Sequence, residues 1–214
     1  MQKKERFSKF IDHFTQNYPE PQTELRYANP FQLLIAVILS AQCTDKRINM
    51  VTPALLEEFP TPEVLAHATV NEVYAHIKSV TYPNNKSKHL INMSKMLVEQ
   101  FNSKVPERIE DLQKLPGVGR KTAHVIASVI YNQPVMAVDT HVFRVSKRIG
   151  LANHKATTPL AVEKQLVAYI PEKYLPKAHH WLILHGRYVC TARNPQCHSC
   201  NLTHFCRYYK KNIT

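Results

Sequence analysis

The chain has 214 residues, which is enough for one large domain or two small lobes with a buried core. Its 28 lysines and arginines outnumber its 16 aspartates and glutamates and give a formal charge of +12, which favours a polyanionic partner such as nucleic acid. The longest apolar run, residues 33–39, is far shorter than the roughly 20 residues that cross a bilayer, so a transmembrane protein is excluded.

The N-terminal residues MQKKERFSKFIDHF carry Glu5 and Asp12 and have no apolar core of the kind that signal peptides contain. They predict an amphipathic first helix and an intracellular protein. Beyond them, apolar residues recur at helical spacing, as in residues 31–38 and 123–130, and no alternating pattern predicts a sheet. Prolines that directly follow threonines predict further helix starts, at Pro53, Pro62 and Pro159.

These patterns predict an all-α protein of about ten helices arranged in two lobes. We expect one helical lobe over residues 25–133. The second lobe comprises residues 1–24 and 134–214 and contains four of the five cysteines. The remaining cysteine, Cys43, is expected in the core of a buried helix.

The segment LPGVG, residues 115–119, separates a short predicted helix in residues 106–114 from a longer one over residues 120–131. Gly117 and Gly119 permit backbone conformations that are closed to other residues and allow a close approach to another surface. The N–H groups at the start of the second helix can bind a phosphate, and Arg120 adds positive charge there. An ordinary helix–helix turn explains one of the two glycines but does not explain the basic pair Arg120-Lys121 that follows.

Lys121 lies next to Arg120 at this helix start, where the helix dipole and the neighbouring charge both disfavour a second positive charge. A neutral lysine amine is a nucleophile and can form a Schiff base, although phosphate binding explains Lys121 about as well. Asp139 precedes a predicted helix over residues 140–149. From its position alone, Asp139 is predicted to be an N-cap.

The four C-terminal cysteines have the spacing C-x6-C-x2-C-x5-C, and they are Cys190, Cys197, Cys200 and Cys206. Because disulfides are rare inside cells, this grouping predicts a metal site. Four thiolates hold either zinc or an iron–sulfur cluster, and the spacing alone leaves both open.

Four blocks of the sequence, in this order and spacing, resemble the endonuclease III family of helix-hairpin-helix DNA glycosylases. They are LSAQCTD from Leu39, LPGVGRKTA from Leu115, VDTHVFRV from Val138 and HGRYVCTARNPQCHSCNLTHFC from His185. The resemblance implies a two-lobed helix-hairpin-helix DNA glycosylase fold with a C-terminal iron–sulfur cluster loop. It also implies that the four cysteines bind a 4Fe–4S cluster.

The resemblance further implies a bifunctional DNA glycosylase and AP lyase of base excision repair. Lys121 would attack the anomeric carbon of an oxidised pyrimidine nucleotide and form a Schiff base, which then permits β-elimination. Asp139 would help to deprotonate the lysine and stabilise positive charge on the sugar. The expected partner is double-stranded DNA that contains damaged bases or abasic sites.

The family pattern also assigns DNA contacts to residues outside the hairpin. Gln42 would fill the space that the extruded nucleotide leaves. Tyr82 aligns with a second inserted residue. The loop that contains Tyr82 departs from the family pattern, which has a glycine and no proline. Either Tyr82 stacks on a base, or Pro83 reshapes the loop. His141 would line the pocket, and basic side chains near the cysteines would contact phosphates, namely Arg187 and Arg193.

Two other functions fit parts of the pattern. A non-enzymatic iron–sulfur DNA-binding protein would use the hairpin only for phosphates, and a monofunctional glycosylase would release the base without cutting the strand. The combination of Lys121 and Asp139 favours the bifunctional enzyme over both. We expect a monomer in the bacterial cytoplasm, associated with the nucleoid and not with a membrane.

Overall fold

The structure is a computed structural model and describes residues 1–213, which form helices and loops without a strand. The predicted all-α class is therefore confirmed. The chain divides into two compact units, which we call the hairpin unit, Thr23–Tyr131, and the cysteine unit, Met1–Gln22 with Asn132–Thr214. None of the helices in the described residues is both long and apolar enough to span a bilayer.

The described residues contain α1 (Lys3–Asn17), α2 (Pro30–Leu39), α3 (Asp45–Glu58), α4 (Pro62–His67), α5 (Val70–Ile77), α6 (Pro83–Phe101), α7 (Ile109–Leu112), α8 (Arg120–Tyr131), α9 (Thr140–Ile149), α10 (Pro159–Val167), α11 (Leu175–Tyr188) and α12 (Arg207–Asn212). Two short 3-10 helices occupy Glu172–Tyr174 and Cys197–Ser199. The helices predicted over residues 120–131 and 140–149 are confirmed as α8 and α9.

Threonine caps begin several of these helices, because a threonine oxygen can accept from a backbone N–H that has no partner inside the helix. Thr61 accepts from Val64 and Thr158 from Ala161, which confirms the predicted helix starts at Pro62 and Pro159. The helix start predicted at Pro53 is wrong, since Pro53 lies inside α3. That helix begins earlier, at the cap formed by Thr44.

The hairpin unit is built around α2, whose residues 31 and 33–39 are all buried. A helix that is apolar on every side must be enclosed by others, and α2 contacts α3, α6 and α8. The prediction that Cys43 lies in a buried helix is wrong. Cys43 is half-buried in the loop between α2 and α3. The loop exists because α2 ends at Leu39 and Thr44 caps α3.

The core of the cysteine unit joins the N-terminal helix to α11. The buried face of α1 includes Phe10 and Phe14, and the ring of Phe14 stacks on Trp181 at 5.6 Å between centroids. The indole N–H of Trp181 donates to the carbonyl of Tyr18 at 2.7 Å. α11 in turn packs on α9, and α9 contacts α12. This packing sets α9 beside the C-terminal segment that contains the cysteines.

Candidate functional site

The turn between α7 and α8 is shaped by one of its two glycines. Gly117 has φ +82°, and a Cβ there would lie 3.0 Å from the Cβ of His89, so a side chain would be strained by the backbone and crowded by its neighbour. Gly119 has no positive φ, and no atom lies within 4 Å of where its Cβ would be. The expectation that both glycines supply conformations closed to other residues is therefore correct only for Gly117. Gly119 instead leaves open space beside an exposed backbone.

The start of α8 presents positive charge to solvent. Arg120 and Lys121 are exposed, whereas Ala123, Ile126 and Ala127 on the same helix are fully buried. The buried residues fix the helix in the hairpin unit, so its first turn projects from the surface. Its first N–H groups have no acceptor within the helix and point along the axis.

Asp139 caps α9 in the cysteine unit, as its position predicts. Its Oδ1 accepts from the Val142 N–H at 2.8 Å, and Asp139 itself has extended backbone geometry. The bond fixes the orientation of the carboxylate, which is half-buried. Since a cap requires only one acceptor oxygen, capping is compatible with a further role for the negative charge.

His141 lies against α11, within the cysteine unit. A Cβ on Gly186 would come within 2.9 Å of the His141 Cβ, so the glycine allows the two helices to approach closely. The His141 Nδ1 lies 3.2 Å from the Arg144 guanidinium. Arg144 also donates to the carbonyls of Gly186 at 2.8 Å and Cys190 at 3.2 Å. Sequence patterns did not single out Arg144.

The four C-terminal cysteines line a single small cavity. Its walls also include apolar side chains from the end of α9 and from the segment itself, among them Ile149 and Leu202. Burial raises the pKa of three of the four thiols, which means that the site disfavours thiolates unless a positive charge is bound among them. A set of four cysteines that line one cavity in an apolar setting fits an iron–sulfur cluster. Among residues 1–213, no three His, Cys, Asp or Glu side chains converge as a site for a single metal ion.

Arg148 on α9 anchors the segment that contains these cysteines. Its guanidinium donates to the carbonyls of Thr191 at 2.6 Å and Ala192 at 2.8 Å, and it reaches the Cys190 sulfur at 3.5 Å. The Cys206 thiol lies 3.6 Å from the Arg148 carbonyl. Sequence analysis missed this residue, because its acceptors are mainly backbone carbonyls and these leave no signature in a sequence.

The other predicted basic contacts lie near the same segment. Arg193 is exposed in the loop between Cys190 and Cys197, where Gln196 N–H closes a turn onto the Val189 carbonyl. Arg187 is half-buried in the last turn of α11. Both therefore belong to the cysteine unit.

Gln42 and Tyr82 lie in two neighbouring loops of the hairpin unit, residues 40–43 and 78–82, which we call the loop pair. Both residues are exposed, and both have left-handed backbones, with φ 57° and 53°. The Thr81 hydroxyl joins the loops, at 3.1 Å from the Ala41 carbonyl and 3.2 Å from the Gln42 carbonyl. The structure therefore brings together two residues that lie 40 positions apart in sequence.

Comparison with known proteins assigns this fold to a class. Residues 35–172 match the family model described as HhH-GPD superfamily base excision DNA repair protein. Residues 190–206 match the model described as the iron–sulfur binding domain of endonuclease III. A thermostable thymine-DNA glycosylase has the same fold, with a TM-score of 0.86 at 18% identity over 97% of this chain and 98% of that chain.

Several relatives are much more similar in sequence. Endonuclease III of Rickettsia prowazekii is 48% identical over 94% of both chains, and that of Escherichia coli K12 is 42% identical over 94% of both. A solved structure described as a trapped endonuclease III–DNA covalent intermediate superposes with a TM-score of 0.93 at 42% identity, covering 100% of each chain.

The chain belongs to the endonuclease III family of base excision DNA repair proteins. The predicted enzyme class, DNA N-glycosylase and AP lyase, is thereby confirmed. The predicted 4Fe–4S cofactor is confirmed by the iron–sulfur domain match together with the endonuclease III relatives.

Proposed function

We propose that the protein removes oxidised pyrimidines from duplex DNA through a Schiff base at Lys121 and then cuts the strand by β-elimination. The observation that carries the proposal is the exposed amine of Lys121 in the first turn of α8, directly after the Gly117–Gly119 turn. The solved endonuclease III structure with a TM-score of 0.93 is described as a trapped covalent DNA intermediate, the kind of species that a lysine nucleophile forms.

The neutral amine of Lys121 forms a bond to C1′ of the damaged nucleotide while the bond from C1′ to the base nitrogen breaks. The departing base takes up a proton, and opening of the sugar ring leaves an imine between Lys121 and C1′. The imine acidifies the C2′ hydrogen. Loss of that proton forms the C2′–C3′ double bond and expels the 3′ phosphate oxygen, which cuts the strand.

Asp139 accepts the proton that the Lys121 ammonium must lose and stabilises the positive charge that develops on the sugar. The cap bond to Val142 supports this proposal, because it fixes the carboxylate before substrate binds. A fixed negative charge needs no reorganisation during the reaction.

The DNA contacts are distributed over both units. The backbone at Gly117 and Gly119 and the side chain of Arg120 bind phosphate at the hairpin, and Arg187 and Arg193 bind phosphate beside the cysteines. Gln42 and Tyr82 enter the space of the extruded nucleotide, and His141 lines the pocket that receives it. The substrate is double-stranded DNA with a damaged base or an abasic site.

The four cysteines would hold the 4Fe–4S cluster, and support comes from the single cavity that all four line. Through these cysteines, a bound cluster would crosslink residues 190–206, whose only regular structure is the 3-10 turn Cys197–Ser199. The segment then presents Arg193 at the surface.

Borohydride trapping tests the central step, because reduction of an imine joins the enzyme covalently to abasic DNA. Lys121→Gln should abolish the trapped species while DNA binding persists through the hairpin backbone. Lys114→Gln is a matched control, since Lys114 lies in the same hairpin but pairs with Asp111 at 2.7 Å. Undiminished trapping by the Lys121 variant would remove this residue from the mechanism.

The same assay separates the alternative functions. A monofunctional glycosylase releases the damaged base without trapping, and a non-enzymatic DNA-binding protein does neither. We expect the enzyme to act as a monomer in the bacterial cytoplasm at the nucleoid, and sedimentation with and without DNA tests the monomer.

A further inference from the structure

The loop pair is held together by a buried lysine that is not one of the predicted DNA contacts. Lys86, in the first turns of α6, is only 5% exposed. Its ammonium donates to the Leu39 carbonyl at 2.8 Å, to the Ala41 carbonyl at 2.7 Å and to the Thr81 hydroxyl at 3.1 Å. These three bonds use all three donors of the ammonium, so the side chain has one fixed arrangement.

The surroundings of the ammonium offset the loss of water around its charge. Leu39 is the last residue of α2, so its carbonyl belongs to the negative end of that helix. Burial lowers the pKa of Lys86, and Cys43 acts in the opposite direction. The cation is thus bound mainly by backbone dipoles, which lie at positions set by α2 and by the loop after it.

Lys86 is linked to both residues that we propose to enter the duplex, to Gln42 through the Thr81 hydroxyl and to Tyr82 through the backbone. The Thr81 hydroxyl accepts from Lys86 and lies within hydrogen-bond distance of the Ala41 and Gln42 carbonyls. Tyr82 follows Thr81 directly, is 64% exposed, and its carbonyl accepts from the Lys86 N–H at 3.1 Å. Gln42 and Tyr82 both have left-handed backbones that are unfavourable for side chains, so they need an external restraint.

We propose that Lys86, acting through Thr81, is a positioning residue that holds Gln42 and Tyr82 at a fixed separation for joint insertion into the DNA helix. The inference rests on the proposed function, because it assumes that both side chains enter duplex DNA. A rigid pair loses less conformational freedom on insertion than two independent loops, so extrusion of the nucleotide is favoured.

The test uses a duplex with 2-aminopurine opposite a tetrahydrofuran abasic analogue, since its fluorescence reports the environment of the orphaned base. Lys86→Met keeps the length of the side chain but removes every donor. We expect a reduced fluorescence change and a single-turnover excision rate lower by about tenfold or more in duplex DNA. Trapping on a single-stranded abasic oligonucleotide, which has no orphaned base, should stay near wild type.

Three further variants keep the test decisive. Lys88→Met removes a charge from an exposed position on the same helix and should leave the fluorescence response unchanged. Thr81→Val should reproduce part of the Lys86 defect without a change in the core. Thr81→Ser, which keeps the hydroxyl, should behave like the wild type. Wild-type fluorescence and excision in both Lys86→Met and Thr81→Val would overturn the inference. If wild-type protein fails to trap abasic DNA at all, the proposed function has failed instead.

Discussion

The loop pair and residues 190–206, which we call the cysteine segment, contain little regular structure, and each is bound by a long cationic side chain from a helix. Lys86 donates to the Leu39 and Ala41 carbonyls, and Arg148 donates to those of Thr191 and Ala192. In both regions the cation replaces the backbone hydrogen bonds that a helix would provide.

The two regions differ in what completes them. Lys86 is buried beneath loops that are short and lie directly between helices, so protein atoms alone fix their conformation. The cysteine segment is longer, and the Arg148 guanidinium donates only to its first three residues, while its four cysteines line a cavity. We therefore predict that one cation is enough to order the loop pair, whereas the cysteine segment needs its bound cofactor as well.

The strongest test of this difference removes one cysteine. Cys200→Ser should abolish the broad visible absorbance of the cluster and expose the amides of the cysteine segment to rapid hydrogen exchange, because bound metal contributes folding free energy. Amide protection in the loop pair should not change, and any folded fraction should still trap abasic DNA. Metal analysis of the wild type should find about four irons per chain.

Equal loss of protection in both regions would show that the loop pair also depends on the cofactor. A colourless wild type that contains zinc would contradict the cluster assignment and would leave the argument for Lys121 unchanged.

Catalysis and anchoring of the cysteine segment can be tested separately, because Asp139 caps α9 and Arg148 lies in its last turn. Asp139→Asn retains an acceptor for the Val142 N–H but loses the charge. We expect turnover to fall by roughly 10² or more, with visible absorbance and segment protection unchanged. Thr158→Val is the matched control, because it removes another cap in the same unit and should lower only stability, by about 1 kcal/mol. Near-wild-type turnover of the Asp139 variant would reduce this residue to a cap.

Arg148 gives a smaller effect that probes the anchoring directly. Arg148→Met leaves the Thr191 and Ala192 carbonyls without their charged donor, so we expect visible absorbance to disappear about tenfold faster when a chelator is added. Lys147→Met removes the same charge from the neighbouring position, where the ammonium lies over the Phe143 ring instead. Equal rates in the two variants would show that Arg148 contributes only charge.

The smallest expected effect concerns acid stability of the cysteine unit. Burial lowers the pKa of His180 to about 4, and the charge of Arg187 acts in the same direction. An unfolded histidine takes up its proton near pH 6.5, so between about pH 6.5 and 4 the unfolded state binds more protons. The free energy of unfolding therefore decreases as pH falls through this window, by at most about 1.4 kcal/mol per pH unit.

His180→Gln should remove this contribution, so the free energy of unfolding should fall less steeply with decreasing pH. Urea unfolding at several pH values measures this slope. His154→Gln provides the control at an exposed position of the same unit. An unchanged slope in His180→Gln would assign the pH dependence to other groups.

Local signals in the sequence were sufficient for much of the fold. Thr61 with Pro62 and Thr158 with Pro159 marked helix starts because a cap and a first-turn proline act within four residues. The same holds for the Asp139 cap, and for Gly117, whose turn separates two helices. The position of Pro53 was misjudged, because a threonine–proline pair also occurs inside α3.

By itself, the sequence determined the helical class, the glycine turn, the Asp139 cap and the crowding of four cysteines near the C-terminus. Each of these depends on residues that are close along the chain. Only the tertiary structure decided that Gly119 borders open space and that Lys86 and Arg148 anchor the loops. The two anchors depend on backbone carbonyls about 40 residues away, since Lys86 is 45 positions from Ala41 and Arg148 is 43 from Thr191. Every residue has a backbone carbonyl, so the pattern of side chains does not predict which carbonyl accepts a hydrogen bond from a lysine or arginine.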